Sequence, residues 1–438
     1  MGIETFNCRF IELKKIEVML KMILKQMWVQ RRENGWIFLE MAIISFFLWK
    51  AMDPIYTIVT MHNFNKGFNT EKALAIDVDI SMDEEPQEAL DGVAEAIKLN
   101  PMVEDAAITG AFTFPGATAR SIYYIKSEKS PEWVKVTSYR GLHNYAQNYM
   151  NIVGYRDIST GMPPVIDAGI PLENICYISR MAAIRLFPDG SNPVGQKVSR
   201  GGGGSFTVAG VIEDVTPSFG IYEPVIIWFE PFSMVYSVNA IVKLKENADE
   251  VLFRKSFMEN DAAKLSTEKC RIRGIKSFGD IYTENRIMIG VDGQMRLQYI
   301  LSFFFIACAF LGIAGTIWMK CNRRRSEIGL YRAMGSTKRG ILGMFFLESA
   351  ILVTLAYLVA LVPLAAIILG NNEFLYSNIM FDLSIDNTSP YLYKRFLPHF
   401  GIVSLITYAI LMGTAFIGTY ITVHKYSNLQ PSEALREE

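Results

Sequence analysis

The stretch RRRSEIGLYRAMGSTKRG, residues 323–340, separates two apolar segments that are each long enough to cross a bilayer. It contains six Lys and Arg residues, and it is patterned like a short amphipathic helix. Lys and Arg are retained on the cytoplasmic side of a membrane during insertion. We therefore expect this basic loop to lie at the cytoplasmic face, where an ordered helix would receive force from a soluble partner.

Four apolar blocks predict four membrane-spanning helices, at residues 35–59, 296–319, 344–369 and 400–423. The last three each exceed the ~20 residues that cross the hydrocarbon core of a bilayer. Glu40, Lys50 and Asp53 interrupt the first block. We expect Glu40 to have a structural partner, and we expect Lys50 and Asp53 to lie on the helix surface just above the membrane.

Basic residues upstream of the first block place the N-terminus in the cytoplasm. Residues 1–34 are patterned as an amphipathic helix on the inner membrane surface, because apolar residues recur at three- and four-residue spacing. Alternation then gives a cytoplasmic loop at 320–343, a short extracytoplasmic loop at 370–399 and a cytoplasmic tail at 424–438. Residues 60–295 lie outside.

The outer region, residues 60–295, predicts a mixed α+β domain. Strands are expected at 73–80, 103–112, 120–126, 133–137, 205–213, 223–229, 240–245 and 271–275, with helices at 86–100 and 248–265. The first two strands and the helix between them predict a β-α-β unit. Residues 277–295 contain few helix breakers, which predicts one stiff helix running into the second span. The fold class is a polytopic α-helical membrane protein with a large α+β extracytoplasmic domain between the first and second spans.

Composition excludes several classes of function. A formal net charge of −1 argues against binding nucleic acid, which requires an excess of Lys and Arg. The five cysteines have no C-x-x-C spacing, and we interpret Cys176 and Cys270 as unpaired core residues, with a bridge between them as the alternative. The four histidines are scattered, so no metal site is predicted. No catalytic motif and no phosphate-binding loop occurs, so we expect no cofactor and no enzymatic activity.

Several motifs resemble the four-span ABC-transporter permeases typified by MacB and FtsX. RSEIGLYRAMGS is similar to the R-x-E-I-G-x-x-R-A-x-G element of that family, with Glu348 as its downstream glutamate. The C-terminal PSEALR resembles the family's closing motif. The outer region resembles the MacB-like periplasmic core domain at three segments, residues 178–187, 192–198 and 206–214.

The resemblance implies a plasma-membrane permease that works as a homo- or heterodimer, driven by ATP hydrolysis in a separate cytoplasmic ABC ATPase subunit. Apolar residues of the basic loop would anchor it in a groove of that ATPase, and polar residues would form the rim. The anchors are Ile328, Leu330 and Met334, the rim is Arg325, Glu327 and Arg332, and the motif also includes Ala333 and Gly335.

The resemblance leaves the task of the outer domain open. It implies either export or extraction of an envelope substrate, with a periplasmic adaptor or envelope protein as a further partner, or mechanotransmission to an outside partner such as a wall hydrolase. A membrane sensor or scaffold without an ATPase is the third alternative. Glu348 is costly if it faces lipid, so we expect a structural partner for it, such as Arg332 or a backbone group.

Overall fold

The computed structural model describes residues 25, 29, 31–62, 65–80, 87–110, 113–117, 121–166, 171–217, 223–232, 238–371 and 396–427. Most of the predicted N-terminal helix, most of the loop at 370–399 and the PSEALR motif lie outside these residues. The described helices are α1 (Arg31–His62), α2 (Gln87–Lys98), α3 (Ala146–Val153), α4 (Arg180–Leu186), α5 (Glu250–Ser256), α6 (Ala262–Leu265), α7 (Phe278–Met288), α8 (Val291–Arg323), α9 (Arg325–Ala333), α10 (Lys338–Asn371) and α11 (Phe396–Ser427).

The strands are all in the region between α1 and α8. They are β1 (Ala73–Ile80), β2 (Val103–Gly110), β3 (Ser121–Ser127), β4 (Val134–Leu142), β5 (Ile175–Ser179), β6 (Lys197–Arg200), β7 (Ser205–Ile212), β8 (Val225–Glu230), β9 (Val238–Leu244) and β10 (Cys270–Ser277). By residue contacts the chain divides into a transmembrane unit, Met1–Thr57, Met295–Tyr376 and Phe396–Glu438, and an α/β unit, which holds Ile58–Gln294.

The transmembrane unit contains the membrane-spanning helices. Within the described residues, four helices are long and apolar enough to cross a bilayer, at Gly35–Thr60, Val291–Arg323, Lys338–Gly370 and Leu397–Tyr426. Their buried side chains form one core that draws on α1, α8, α10 and α11 and includes Met41, Leu48, Ile313, Phe345 and Leu411. This confirms the four spans and a large α/β domain between the first two of them.

The first part of the α/β unit is an open sheet with strand order β10-β1-β9-β2. Both β1 and β2 pair antiparallel with β9, so they run parallel to each other with β9 inserted between them. The predicted β-α-β unit is therefore present in a split form. Helix α2 makes the crossover between β1 and β2. Its buried residues recur at three- and four-residue spacing and so form one face of the helix: Leu90, Val93, Ala94 and Ile97.

The second part of the unit is a closed ring of six strands. The order β4-β3-β6-β7-β5-β8 returns to β4 through a parallel pairing of Thr137–Leu142 with Val225–Glu230. Closure removes the free edges that an open sheet would leave. The interior is filled by aliphatic and aromatic side chains from the strands and by α4, and Trp228 stacks on Phe206 with 5.3 Å between ring centroids.

Two cysteines of the α/β unit, Cys176 and Cys270, are buried and free. This agrees with the interpretation that they are unpaired core residues rather than a bridge. Burial raises the pKa of the Cys176 thiol, so the thiol stays protonated and unreactive while the domain is folded.

The predicted continuous helix from residue 277 into the second span is wrong. The chain forms α7 and α8, and the break between them falls at Ile289 and Gly290. Gly290 has φ +81°, a left-handed conformation that ends a helix and that glycine adopts without strain. The prediction rested on the small number of helix breakers in this stretch, and Gly290 alone is enough to end α7.

One position of the α/β unit, residue 67, requires glycine. Gly67 has φ +74°, and a Cβ added to it would lie 2.2 Å from the backbone oxygen of Asp214. The backbone cannot shift freely here, because Thr216 N donates to Lys66 O at 3.0 Å.

We therefore expect Gly67→Ala to lower the free energy of unfolding by at least about 2 kcal/mol. Gly161→Ala is the matched control, because Gly161 has φ +69° but open space around it; its cost should stay near 1 kcal/mol. Denaturant unfolding of the two full-length variants measures the difference. Equal losses would contradict the close approach at Gly67.

Candidate coupling site

Helix α9 is set off from its neighbours by two short breaks. The first is at Arg324, whose φ of −106° and ψ of 26° interrupt α8 before α9 begins. The second is at Gly335, with φ +91°, where Ser336 N donates to Tyr331 O at 2.9 Å and closes the helix end. Thr337 then caps α10 by accepting a hydrogen bond from Gly340 N at 3.1 Å. The basic loop is thus a distinct short helix between two spans.

The two faces of α9 differ sharply. Ile328 is 4% exposed and belongs to the core of the transmembrane unit. Leu330 is 51% exposed and Met334 is 66% exposed. All three were predicted to anchor a partner, but of these three only Leu330 and Met334 are accessible. Ile328 instead fixes α9 to the spans.

A buried ion pair joins the end of α8 to the first turns of α10. Lys320 Nζ lies 2.5 Å from Glu348 Oε1, and the two side chains are 6% and 4% exposed. Removing Lys320 would take this cation away from a buried carboxylate in a medium of low dielectric constant, which is far more costly than losing a surface pair. The pair therefore fixes α8 against α10.

Arg324 lies one helical turn beyond Lys320 and contacts both α9 and α10. Its Nε donates to Glu327 Oε2 on α9 at 2.8 Å, and its guanidinium lies over the ring of Phe345 on α10, 5.6 Å from the centroid. The side chain is buried even though it is charged. Arg324 thereby ties α9 to α10 at the point where the chain leaves the second span.

The predicted site residues are distributed over this arrangement. Glu327 is half exposed, Arg325 and Arg332 are partly buried, and Ala333 and Gly335 are exposed. The predicted partner of Glu348 was a group such as Arg332 or a backbone group; the structure places Lys320 there. Lys320 and Arg324 were missed. They could have been found from their spacing of four residues at the end of the second span, because this spacing puts both on one helix face.

One other charged residue of the first span differs from expectation. Asp53, expected on an exposed helix surface above the membrane, is fully buried, and its Oδ1 lies 2.8 Å from Nε2 of His399, a histidine to which the sequence assigned no site. Glu40 packs against Gly312 of α8, where a Cβ would lie 2.7 Å from Glu40 Oε1. Among the described residues, no group of three or more His, Cys, Asp or Glu side chains could hold a metal ion.

Comparison with known proteins places helix α9 inside a recognised domain. Residues 299–431 match the model of the FtsX-like permease C-terminal domain. This range covers most of α8, all of α9 and α10, and the described part of α11.

Two curated relatives extend the likeness beyond that domain. The macrolide export ATP-binding/permease protein MacB of Neisseria meningitidis is 21% identical over 310 residues, 68% of this chain and 43% of that protein. The lipoprotein-releasing system transmembrane protein LolC of the same species is 24% identical over 164 residues, 36% of this chain and 38% of that protein. The chain thus spans less than half the length of these relatives.

Two solved structures are weakly similar to this chain. The periplasmic region of MacB from Actinobacillus actinomycetemcomitans has a TM-score of 0.32 and 12% identity, and the match covers 51% of this chain and 97% of that one. A domain of a permease protein from Porphyromonas gingivalis has a TM-score of 0.33 and 15% identity, covering 48% and 92%. Residues 299–431 are thus similar to the FtsX-like permease C-terminal domain, and larger parts of the chain are similar to MacB and LolC.

Proposed function

We propose that this chain is the permease subunit of an ABC system of the inner membrane, and that α9 is its contact with a separate ATPase subunit. The observation that carries the proposal is the two-sided character of α9. One face is fixed to the spans by Ile328 and by the Arg324–Glu327 bond, while Leu330 and Met334 are exposed on the other.

A short helix with two adjacent exposed apolar side chains suits insertion into a hydrophobic groove. Its basic surroundings suit the cytoplasmic side of a membrane. The 438 residues contain no G-x-x-x-x-G-K-[ST] sequence, so we assign nucleotide binding to a partner. In this arrangement the α/β unit is extracytoplasmic, and the permease acts as a dimer.

Force applied to α9 would pass to the spans through rigid contacts. Arg324 connects α9 to α10, and the Lys320–Glu348 pair connects α8 to α10. Because packed protein interiors are barely compressible, a shift of α9 would displace both helices. We propose that ATP hydrolysis moves the α/β unit in this way and that the motion exports or extracts an envelope substrate.

The test is ATP hydrolysis by the purified complex of this chain with its ATPase, reconstituted in nanodiscs. We expect Leu330→Asp and Met334→Asp each to lower ATP hydrolysis at least tenfold and to release the ATPase on purification, because a charge replaces a buried anchor at the interface. Leu99→Asp is the control, since Leu99 is a highly exposed leucine of the α/β unit; it should leave both readouts unchanged.

Two outcomes would contradict this function. Wild-type chain that purifies without any ATPase would favour a sensor or scaffold, and α9 variants with full activity would exclude α9 as the contact. Export and mechanotransmission differ in what stimulates the complex. Stimulation by a small envelope substrate supports export, whereas stimulation only by a protein partner supports mechanotransmission.

A further inference from the structure

A cavity of about 210 Å³ lies within the α/β unit, next to the point where the parallel strands β4 and β8 end. Leu142 and Glu230, the last residues of the two strands, are paired with each other. The carboxyl ends of parallel strands meet at one edge of a sheet, where open α/β sheets bind their ligands. The residues that follow both strands, His143–Tyr145 after β4 and then Pro231 and Phe232 after β8, line the cavity together.

The walls of the cavity are mainly apolar. Leu90 of α2, Ile108 of β2 and Leu142 of β4 line it, and each is at most 3% exposed. The rings of Tyr145 and Phe232 also line it. Aliphatic and aromatic walls suit the apolar part of a small organic ligand, and aromatic rings in addition attract a cation.

Among the described residues that line the cavity, the one carboxylate is that of Asp91 on α2. Tyr145 Oη donates a hydrogen bond to Asp91 Oδ1 at 2.5 Å, which fixes the position of the carboxylate. Burial, and then this hydrogen bond, raise the pKa of Tyr145, so its hydroxyl stays protonated and remains a donor. A carboxylate offers about four lone-pair sites, so Asp91 can also accept hydrogen bonds from a ligand.

The charges around the cavity favour a cation as its ligand. Within the described part of the lining there is no Lys or Arg. Arg140, two residues before the end of β4, is paired with Glu230 at 3.2 Å. The segments next to the lining residues in the chain, 81–86 and 233–237, contain three acids and no Lys or Arg. A cation would therefore meet an opposite charge, whereas an anion would be repelled.

The composition of the walls favours an organic cation over a metal ion. One carboxylate among apolar walls gives a metal ion too few oxygen ligands. We propose that this cavity binds a small organic ammonium ion. Asp91 accepts hydrogen bonds from the ammonium group, and the rings of Tyr145 and Phe232 pack against the rest of the ligand. Tyr145 is also a positioning residue, because its hydroxyl holds Asp91 in place.

Three probes of one shape and different charge test the site. The full chain in nanodiscs is titrated at pH 7 with benzylamine, benzyl alcohol and benzoate, followed by isothermal titration calorimetry, with empty nanodiscs as the blank. We expect benzylamine to bind at least about tenfold more tightly than the other two, because hydrogen bonds between charged partners are the strong ones. Asp91→Asn keeps the size of the side chain but removes its charge. It should weaken benzylamine binding at least about tenfold and leave benzyl alcohol binding unchanged.

Glu88→Gln is the matched control, since Glu88 is an exposed acid of the same helix and is not among the residues that line the cavity; it should bind benzylamine like wild type. If Asp91→Asn does not fold, Phe232→Ala takes its place, because Phe232 is partly exposed; it should weaken benzylamine binding several-fold.

Three outcomes would overturn the proposal. They are tighter binding of benzoate than of benzylamine, equal binding of benzylamine and benzyl alcohol by wild type, and benzylamine binding that neither Asp91→Asn nor Phe232→Ala weakens. Absence of benzylamine binding by the folded wild type counts with the second of these. The readout needs no ATPase, so its failure is separate from failure of the coupling function.

Discussion

Lys320→Met is expected to lower the free energy of unfolding by about 3–5 kcal/mol. The substitution keeps the length of the side chain but leaves the Glu348 carboxylate unpaired among buried groups. Adding Glu348→Leu should restore most of the loss, because well-packed apolar residues replace a buried ion pair at little cost. Equilibrium unfolding in bicelles measures the three variants.

The matched control is an exposed ion pair of the α/β unit. Lys276 and Glu284 lie 2.8 Å apart, and each side chain is about half exposed. Lys276→Met should therefore cost no more than about 1 kcal/mol. If Lys320→Met proves equally mild, or if the double variant is no more stable than the single one, Lys320 and Glu348 are not the pair that joins α8 to α10.

Trp228→Ala should destabilise the α/β unit by about 3–5 kcal/mol. Trp228 is buried inside the six-strand ring, where it stacks on Phe206 and meets Tyr123 edge-on at 5.0 Å between centroids. Its removal leaves a large cavity, and the ring has limited freedom to collapse because every strand is paired on both sides.

Trp133→Ala is the control for that prediction, since Trp133 is half exposed in the same unit. Its loss should be below about 1 kcal/mol. Tryptophan fluorescence during denaturant unfolding follows both variants. Similar losses for the two would indicate that the ring is not a closed, packed core.

The sequence predicted the spans and most strands because their signals are local. Twenty apolar residues predict a membrane helix without knowledge of its neighbours, and alternation predicts the strand at Ala73–Ile80 in the same way. The ring of six strands could not be predicted, since the β4–β8 pairing joins residues about 90 positions apart and no local pattern specifies it.

The charged contacts of the spans could not be predicted for the same reason. Glu348 was expected to have a structural partner such as Arg332 or a backbone group, but its partner is Lys320, which is farther away along the chain and is brought there by packing. Asp53 was expected at the surface because a helix surface just above the membrane tolerates charge. It lies instead on the buried face of α1, four residues from both Trp49 and Thr57. The exposure of Leu330 and the burial of Ile328 likewise depend on how α9 packs.

The side of the membrane on which α9 lies is the most direct test of the account. Met334→Cys is labelled with a membrane-impermeant thiol reagent in intact cells and in inverted membrane vesicles, with the unsubstituted chain as background. Val165→Cys, at a highly exposed position of the α/β unit, is the opposite marker. We expect Met334→Cys to react only in inverted vesicles and Val165→Cys only in cells. Labelling of Met334→Cys from outside intact cells would contradict a cytoplasmic coupling helix.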